Sequence, residues 1–306
     1  MPEGPLAMLL GHALFGAVPL FLKLGLRGGV DSSSAVVLRF IVGLAIIFGL
    51  AFALGREGGG LRGELRLAPV NQRGLFWRGL WGGLAVLTYF ITVERLGAGL
   101  GTLLNYTHSL WSNVFALLWL GQRPGRRFWA RLALAGLGVV LVLHPAAGGR
   151  LDPGGVAIGV LSGMAGGAAV LTIKALRRTD NALTINLSLA LGGLALALPL
   201  AGLRGLGGAP VLTAPAAAWA WVALSGVFSF GGQFFFNHGF SRTSVALASL
   251  IALTTPVLAV LAGWAWLGEP LTPYTLAGAA CVLAALLMQG LEERRRAQSS
   301  EIGGFG

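Results

Sequence analysis

The sequence predicts an all-α polytopic membrane protein with ten transmembrane helices, arranged as two inverted five-helix repeats around a central cavity. Of its 306 residues, 55% are hydrophobic and 11% are charged, whereas an ordinary soluble domain has about 25% charged residues. The hydrophobic residues fall in long runs, and a membrane helix needs about 20 of them to cross the hydrocarbon core. Related segments in the two halves of the chain indicate the repeat.

Ten apolar runs of suitable length follow one another along the chain. We predict spans at residues 5–26, 33–54, 74–96, 98–121, 127–145, 154–176, 181–203, 216–239, 243–267 and 272–290. The polar, Gly-rich segment 55–73 is predicted to lie on the surface. We expect residues 1–150 to form the first repeat, 151–291 the second, inverted repeat and 292–306 a disordered cytoplasmic tail.

The basic residues are distributed unevenly between the two sides of the predicted membrane. Most of the 22 Lys and Arg residues lie in segments that share a side with both chain ends. Because cytoplasmic loops carry the excess of basic residues, we predict a multi-pass protein of the inner (plasma) membrane with both termini in the cytoplasm. The net charge of +11 does not indicate nucleic-acid binding, because the basic residues form no patch interleaved with aromatic residues.

The sequence carries no enzymatic or metal-binding signature, and we predict a protein that is not an enzyme and uses no cofactor or metal. The single cysteine, Cys281, excludes a disulfide framework and a CxxC metal site. We find no GxxxxGK[ST] loop and no HExxH motif. A lipid-modifying membrane enzyme is a remaining alternative, but it would need clustered His, Asp or Lys residues, and the four histidines are scattered along the sequence.

Two pairs of segments relate the halves of the chain. Residues 14–27, LFGAVPLFLKLGLR, align with residues 165–178, AGGAAVLTIKALRR, and this alignment pairs the only two lysines. Residues 99–122 align with residues 246–269, and both segments end in WLG followed by Gln or Glu. Each half holds an odd number of predicted spans, so the second half would enter the membrane from the opposite side. Inverted repeats of this kind are typical of carriers that work by alternating access.

These residues resemble a known family. The segments LRFIVGLAIIFGL (38–50) and ALASLIALTTPVLAVLAGWAWLGEPLTPYTLAGAACVLAALLM (246–288) look like the drug/metabolite transporter superfamily, EamA type. The resemblance implies a ten-helix exporter with a cavity between its repeats. The segment NYTHSLWSNVFALLWLGQRP (105–124) is similar to the fourth helix of YddG-type aromatic amino acid exporters. Those usually carry Trp-Pro after the Asn-Tyr pair, where this chain has Thr-His-Ser.

The resemblance implies a small-molecule substrate, with aromatic and other neutral amino acids favoured, and a monomer or weak oligomer in a lipid bilayer. An exporter of other metabolites or of cationic drugs, coupled to protons, is the alternative, with His12 and His108 as titrating groups. No Asp or Glu lies at the centre of a predicted span, and ion-coupled carriers usually need an ionisable group there. We therefore predict an uncoupled facilitator.

Polar and aromatic residues within the spans are candidates for the substrate site, because an unpaired polar group in hydrocarbon costs several kcal/mol. Aromatic rings with a few amide and hydroxyl groups would suit an amphiphilic substrate. The candidates are Tyr89, Asn105, Tyr106, His108, Trp111, Met164, Phe228, Gln233, Asn237, Thr254 and Thr255. On a continuous helix His108 would lie about 200° round from Tyr106, so these two side chains would not face the same small ligand.

Prolines and glycines mark candidate hinges. Pro19 and Pro256 each remove a helical hydrogen bond, and we expect the second half to supply a bend at Pro256 while the first half binds the ring of the substrate. Gly163 and Gly167 belong to a row of glycines spaced four apart, on which another helix could slide. Static packing explains the glycine row equally well.

Four charged residues within the predicted spans are further candidates, because ionisable groups in a membrane usually have a function. They are Lys23, Arg39, Glu94 and Lys174. The alternatives are that both lysines extend to the membrane surface and that Glu94 forms a local ion pair with Arg95.

Overall fold

A computed structural model describes residues 3–56, 69–121, 126–142, 152–176, 178–180, 182–206, 213–240 and 251–302. The helices in these ranges are α1 (Glu3–Arg27), α2 (Ser32–Arg56), α3 (Gln72–Leu96), α4 (Ala98–Tyr106), α5 (His108–Leu120), α6 (Arg126–Val142), α7 (Pro153–Leu176), α8 (Ala182–Leu206), α9 (Ala216–Phe240), α10 (Thr254–Leu267) and α11 (Pro273–Ile302). The described residues contain no β-strand.

Five of the described helices are long and apolar enough to cross a membrane, as judged by length and composition. These segments are Gly4–Arg27, Ser32–Gly49, Pro153–Ile173, Leu183–Gly205 and Pro273–Glu292. Among the described residues, α10 is a shorter apolar helix. The prediction of an all-α polytopic membrane protein is therefore confirmed, while the count of ten spans and the inverted relation of the two halves stay predictions.

The C-terminal helix extends farther than the sequence predicts. Helix α11 continues to Ile302, through residues for which the sequence predicts a disordered tail from position 292. The tail is rich in Glu, Arg, Ala and Gln, which favour a helix. Its first turn also has partners on α6, because Glu292 Oε2 lies 3.8 Å from Arg131 Nη1 and 3.9 Å from Arg127 Nη1.

Helices from the two halves of the chain pack on one another throughout the bundle. The most extensive pairing joins α1 to α9, and α3 packs on both α7 and α8. Glycines permit these close crossings. A β-carbon at Gly11 of α1 would lie 2.8 Å from the backbone nitrogen of Phe236 on α9. A β-carbon at Gly83 of α3 would lie 2.7 Å from the backbone nitrogen of Gly193 on α8.

We expect Gly83→Ala to destabilise the protein, because the added methyl group meets backbone atoms of α8 and the two helices must move apart. Overpacking of this kind costs about 1–3 kcal/mol, and thermal unfolding in detergent would measure it as a lower Tm. Gly136→Ala in α6 is the matched control, since a β-carbon there has no neighbouring atom within 4 Å. Equal Tm values for the two variants would contradict the packing role.

The fourth predicted span is broken in its middle. Helix α4 ends at Tyr106 and α5 begins at His108, with Thr107 between them at φ −62° and ψ −8°. The Thr107 hydroxyl donates a hydrogen bond to the Leu104 carbonyl at 2.6 Å. Such side-chain bonds compete with the backbone for helix carbonyls and favour a break or bend. The sequence prediction of one continuous helix over residues 98–121 is therefore wrong.

A second break lies at almost the same aligned position in the other half of the chain. Helix α10 begins at Thr254, which aligns with Thr107, and Leu253 before it has φ −67° and ψ −16°. Pro256 therefore lies in the first turn of a new helix, where a missing N–H donor costs little. The expectation that only the second half bends is wrong, because both halves are broken here. Pro19 lies inside α1, as predicted.

Candidate functional site

A polar contact joins α1 to the first turn of α10, beside the second break. The Thr255 hydroxyl of α10 lies 3.0 Å from the His12 backbone carbonyl of α1 and 3.0 Å from His12 Nδ1. Because His12 and Thr255 belong to different halves of the chain, this contact connects the two halves.

The Thr255 hydroxyl has one proton and two acceptors at 3.0 Å, the His12 carbonyl and His12 Nδ1. When the hydroxyl donates to the carbonyl, Nδ1 donates to Thr255 and Nε2 is left as a hydrogen-bond acceptor. His12 Nε2 is buried and has no hydrogen-bond partner in the described part of the chain. Two phenylalanine rings pack edge-to-face with the imidazole. The distance between ring centroids is 6.1 Å for Phe15 and 5.6 Å for Phe236.

The break also brings His108 next to Tyr106. Their ring centroids are 5.6 Å apart, so the prediction that they face opposite sides is wrong. That prediction assumed a regular helix, and Thr107 interrupts the helix between the two rings. His108 Nδ1 is buried and lacks a hydrogen-bond partner within the ranges that the structure covers.

Two further hydrogen bonds hold α4 against its neighbours. The Tyr89 hydroxyl of α3 lies 2.9 Å from Thr102 Oγ1, and Thr102 donates its own proton to the Ala98 carbonyl at 2.8 Å. The Asn105 side chain donates to Ser162 Oγ of α7 at 2.7 Å. The first half of the broken span is thus fixed between α3 and α7, and the amide nitrogen of Asn105 is occupied by protein.

The glycine row of α7 faces the break. A β-carbon at Gly163 would contact Thr107 Oγ1 and would lie 3.3 Å from Trp111 Cδ1. A β-carbon at Gly167 would lie 2.7 Å from Trp111 Cβ. Trp111 therefore packs against α7, and the row allows α5 to approach closely. Its role as a sliding surface stays a prediction.

The remaining polar and apolar candidates are spread over three helices. Met164 on α7 and Gln233 on α9 are half-buried. Phe228 on α9 meets the Phe21 ring of α1 edge-on, with centroids 4.8 Å apart. The Thr254 hydroxyl donates to the Ile251 carbonyl. The side chains of Asn237 and Lys174 lie outside the described residues.

Charged side chains connect the helix ends on one side of the bundle, which we call the charged end and define by Lys23, Arg27, Asp31, Glu94, Arg204 and Glu269. Lys23 Nζ donates to the carbonyls of Val93 at 2.9 Å and Glu94 at 2.7 Å, at the end of α3. Arg27 donates to the Leu267 carbonyl at the end of α10. The ammonium group of Lys23 therefore donates to protein carbonyls. The alternative from the sequence was that this side chain extends to the membrane surface.

Glu269 closes the charged end between the two halves. Its carboxylate accepts hydrogen bonds from the backbone nitrogens of Ala98 at 2.6 Å and Gly99 at 3.0 Å. These are the first N–H groups of α4, which lack partners within the helix and favour a negative charge. Gly97 has φ +95°, and a β-carbon there would lie 2.5 Å from Glu269 Oε1. A glycine is therefore needed at this position.

Glu94 of α3 pairs with Arg204 on a distant helix, and the predicted alternative, an ion pair with its neighbour Arg95, does not form. Glu94 Oε2 lies 3.9 Å from Arg204 Nη1 of α8, whereas Arg95 Nη1 lies 3.2 Å from Asp152 Oδ2 before α7. Arg204 Nη1 also lies 3.4 Å from Asp31 Oδ1. Both ion pairs of α3 therefore tie the first half to the second.

Asp31 caps the start of α2. Its Oδ1 accepts hydrogen bonds from the backbone nitrogens of Ser33 at 2.9 Å and Ser34 at 3.1 Å. Burial alone raises the pKa of the Asp31 carboxyl, but these serine hydrogen bonds and the positive charge of Arg204 outweigh burial. The pKa of Asp31 therefore lies below its ordinary value.

We expect Asp31 to make the stability of the protein depend on pH. A carboxyl with a lowered folded-state pKa contributes stability above its ordinary pKa of about 4, and this is lost as the pH falls through the lowered value. Asp31→Asn should therefore lower the Tm at neutral pH, and the Tm difference from the wild type should shrink as the buffer is made acidic. A Tm difference that grows on acidification would contradict the assignment.

Arg39 is the charged candidate that lies deepest in the bundle. Its guanidinium carbon lies 5.4 Å from the ring centre of Phe40 and 5.3 Å from that of Phe90 on α3. Phe90 is fully buried, so the charge of Arg39 points among the helices.

An all-helical membrane bundle with a polar site between its halves, closed at one end by caps and ion pairs, defines a multi-pass membrane transporter. The sequence matches the EamA-like transporter family over residues 3–144 and again over residues 153–290, and the chain belongs to this family. The predicted membership of the drug/metabolite transporter superfamily, EamA type, is thereby confirmed. The narrower resemblance to YddG-type exporters stays a prediction.

Several characterised and uncharacterised relatives are similar over most of their length. An uncharacterized transporter of Archaeoglobus fulgidus is 28% identical over 290 residues, which cover 94% of this chain and 96% of that protein. The pseudopaline exporter CntI of Pseudomonas aeruginosa is 26% identical over 216 residues, 70% of this chain and 73% of its own. A riboflavin transporter of Rhizobium johnstonii is 30% identical over 191 residues, 59% of this chain and 58% of its own.

A solved crystal structure has the same fold. It covers 95% of this chain and 98% of its own, with a TM-score of 0.61 and 19% sequence identity. The family and the relatives together point to a transporter.

Sequence reasoning missed four residues that the site uses: His12 as the contact of Thr255, Ser162, Arg204 and Glu269. Each acts through a partner at least 57 positions away in the chain, as in the Asn105–Ser162 pair. For Glu269 a signal existed, because an acidic residue directly after the Leu-Gly end of a span is a plausible cap for another helix.

Proposed function

We propose that this protein is an exporter of small metabolites, with aromatic and other neutral amino acids as substrates, and that it works by alternating access without ion coupling. The observation that carries the proposal is the broken span α4–α5, whose Asn105 side chain donates a hydrogen bond to Ser162 of the second half. The His12–Thr255 contact joins the same two halves. Family membership and the relatives that export pseudopaline or transport riboflavin support a small organic substrate.

The proposed topology has ten spans in two inverted repeats, residues 1–150 and 151–291, in the inner membrane with cytoplasmic termini. The aligned breaks at Thr107 and Leu253 support the repeat. In this topology the charged end faces outward, because it contains the minority of the basic residues.

The substrate would bind beside the break, where aromatic rings and hydrogen-bonding groups lie together. Tyr106 and His108 offer adjacent rings, 5.6 Å apart, and His12 Nε2 offers a buried acceptor. Release would require the charged end to open, which separates Glu269 from α4. Because Glu269 and α4 belong to different halves, a rocking motion of one half against the other would break this contact.

The testing experiment is uptake of radiolabelled phenylalanine or tryptophan into proteoliposomes containing the purified protein. We expect saturable uptake above that of empty liposomes, unchanged when a proton ionophore removes any pH gradient. Transport of other amino acids without phenylalanine or tryptophan would contradict the aromatic substrate. The absence of any amino acid transport would contradict the proposed function.

We expect Tyr106→Ala to lower kcat/KM for phenylalanine by about 10-fold or more, because it removes a ring that could stack on the substrate beside His108. Tyr106→Phe keeps the ring and should lose about threefold. Trp264→Ala is the control, since Trp264 is 55% exposed on the outer surface of α10. Equal loss in the Tyr106→Ala and Trp264→Ala variants would remove Tyr106 from the site.

Proton-coupled export is the second candidate function, favoured by one observation. His12 Nε2 and His108 Nδ1 are both buried without hydrogen-bond partners among the described residues, and a proton-coupled carrier needs an ionisable group of this kind within the membrane. Coupled export predicts that an imposed pH gradient drives phenylalanine accumulation and that His12→Gln abolishes this effect. Export of cationic drugs is less favoured, because the nearest candidate carboxylate, Glu94, already lies 3.9 Å from Arg204.

A further inference from the structure

Arg39 lies two turns into α2 from the charged end, with its side chain inside the bundle. Its guanidinium carbon lies 5.3 Å from the ring centre of Phe90, which is 0% exposed. The Arg39 backbone is also close to another helix, because a β-carbon at Gly226 of α9 would lie 3.3 Å from Arg39 Cα. The side chain is half-buried, and its contact with the fully buried Phe90 places the guanidinium between helices.

Arg39 differs from the basic residues at and near the charged end in the groups that its side chain contacts. Lys23 and Arg27 donate to backbone carbonyls, and Arg95 and Arg204 pair with carboxylates. Within the described ranges, the contacts of Arg39 are the faces of two aromatic rings and no carboxylate. The positive charge is thus held in position by Phe40 and Phe90 but is not neutralised.

An unneutralised cation inside a membrane protein is costly, and arginine side chains there usually pair with an anion or mark a substrate pathway. Cation–π contacts offset only part of the lost hydration. Arginine is suited to carboxylates, because its planar fork of N–H donors matches their two oxygens. A site with this cation and no protein anion favours an anionic group on the substrate.

The surroundings of Arg39 connect it to the proposed substrate site. The Phe90 ring that Arg39 contacts packs edge-to-face with the Tyr89 ring, with centroids 5.9 Å apart. The Tyr89 hydroxyl lies 2.9 Å from Thr102 Oγ1 on α4. A series of contacts therefore runs from Arg39 through α3 to the helix that carries Tyr106, and the two residues could bind two ends of one molecule.

We propose that Arg39 is an anion-binding subsite of the transport pathway and that it binds the carboxylate of the substrate, with Tyr89 beside it. This inference rests on the proposed function, and it adds that a carboxylate is required for recognition. An amine that has the same ring but no carboxylate is then a poor ligand.

The test uses the full-length protein and three probes that share a phenyl ring. The probes are L-phenylalanine, 3-phenylpropionate, which lacks the ammonium group, and phenethylamine, which lacks the carboxylate. Binding of each probe is measured by isothermal titration calorimetry in detergent, and phenylalanine uptake is measured in proteoliposomes. The variants are Arg39→Gln and Arg39→Lys. Arg131→Gln is the matched control, because Arg131 is also a buried arginine but lies on α6 beside Glu292.

We expect the wild type to bind both carboxylates and to bind phenethylamine at least about 10-fold more weakly, since the buried cation would be left unpaired. Arg39→Gln should raise the Kd of both carboxylates about 10-fold or more. Arg39→Lys should raise this Kd less, because it keeps the charge. Arg131→Gln should leave the Kd within about twofold of the wild-type value. If Arg39→Gln does not fold, the wild-type preference and Arg39→Lys still decide the question.

Three results would overturn the subsite: phenethylamine binding as tightly as phenylalanine, an unchanged Kd for carboxylates in Arg39→Gln, or no binding of either carboxylate to the wild type. The failure of the proposed function is a separate result. If phenylalanine is not transported but 3-phenylpropionate binds in a manner that depends on Arg39, the subsite stands and the amino acid substrate does not.

Discussion

Glu269→Gln is expected to lower the free energy of unfolding by about 2–4 kcal/mol and to open the charged end, because the two backbone donors at the start of α4 lose a charged partner. The carboxylate offers one oxygen to Ala98 at 2.6 Å and the other to Gly99 at 3.0 Å. The amide keeps only one acceptor, so its NH₂ group would face an N–H donor. The first turn of α4 would then keep one of its two hydrogen bonds to residue 269.

Thermal unfolding in detergent measures the loss, and Glu94→Gln is the matched control at the same end of the bundle. Glu94 is a third exposed, and its closest charged group, Arg204 Nη1, lies 3.9 Å away. A pair of this kind contributes about 1 kcal/mol or less. Equal Tm changes in the two variants would show that Glu269 is not the main closing contact.

The second large effect is expected for Thr255→Val, which keeps the shape of the side chain and removes its hydroxyl. His12 Nδ1 and the His12 backbone carbonyl would lose the hydroxyl that lies 3.0 Å from each of them, and a buried polar group left unsatisfied costs about 1–3 kcal/mol. Transport should fall about 10-fold or more, because α1 and α10, which belong to different halves, would no longer be held together at the site. Thr255→Ser should retain most of the transport rate.

Thr254→Val is the control for Thr255→Val, since the two residues are adjacent and the change is the same. The Thr254 hydroxyl bonds only its own chain segment, at the Ile251 carbonyl. We therefore expect a small loss of uptake in the control. If both valine variants lose uptake equally, local helix structure explains the effect and the contact between His12 and Thr255 does not.

Hydropathy was sufficient to predict an all-helical, multi-pass membrane protein, because the membrane requires long apolar runs. The first span, predicted at 5–26, is α1 from Glu3 to Arg27. The break at Thr107 was missed because no proline or glycine marks it. The polar sequence Thr-His-Ser within an apolar run was the available signal, since hydroxyl side chains take carbonyls from the helix.

The partners within the site depend on how distant helices pack, so local patterns could not predict them. His12 and Thr255 are 243 positions apart, and Ala98 and Glu269 are 171 positions apart. The sequence identified Tyr106, Asn105 and Thr255 as polar residues that must avoid lipid. It could not predict that Thr255 contacts His12 on α1, because this requires the two halves of the chain to be placed together.

Accessibility of a cysteine at position 164 tests alternating access most directly. In a Cys281→Ala background, Met164→Cys places one thiol on α7, and a membrane-impermeant thiol reagent is added to either side of oriented vesicles. We predict slow labelling from the charged end, at least about 10-fold faster labelling from there after Glu269→Gln, and protection by phenylalanine. Labelling from the charged end that is fast in the parent protein and unchanged by Glu269→Gln would contradict the account.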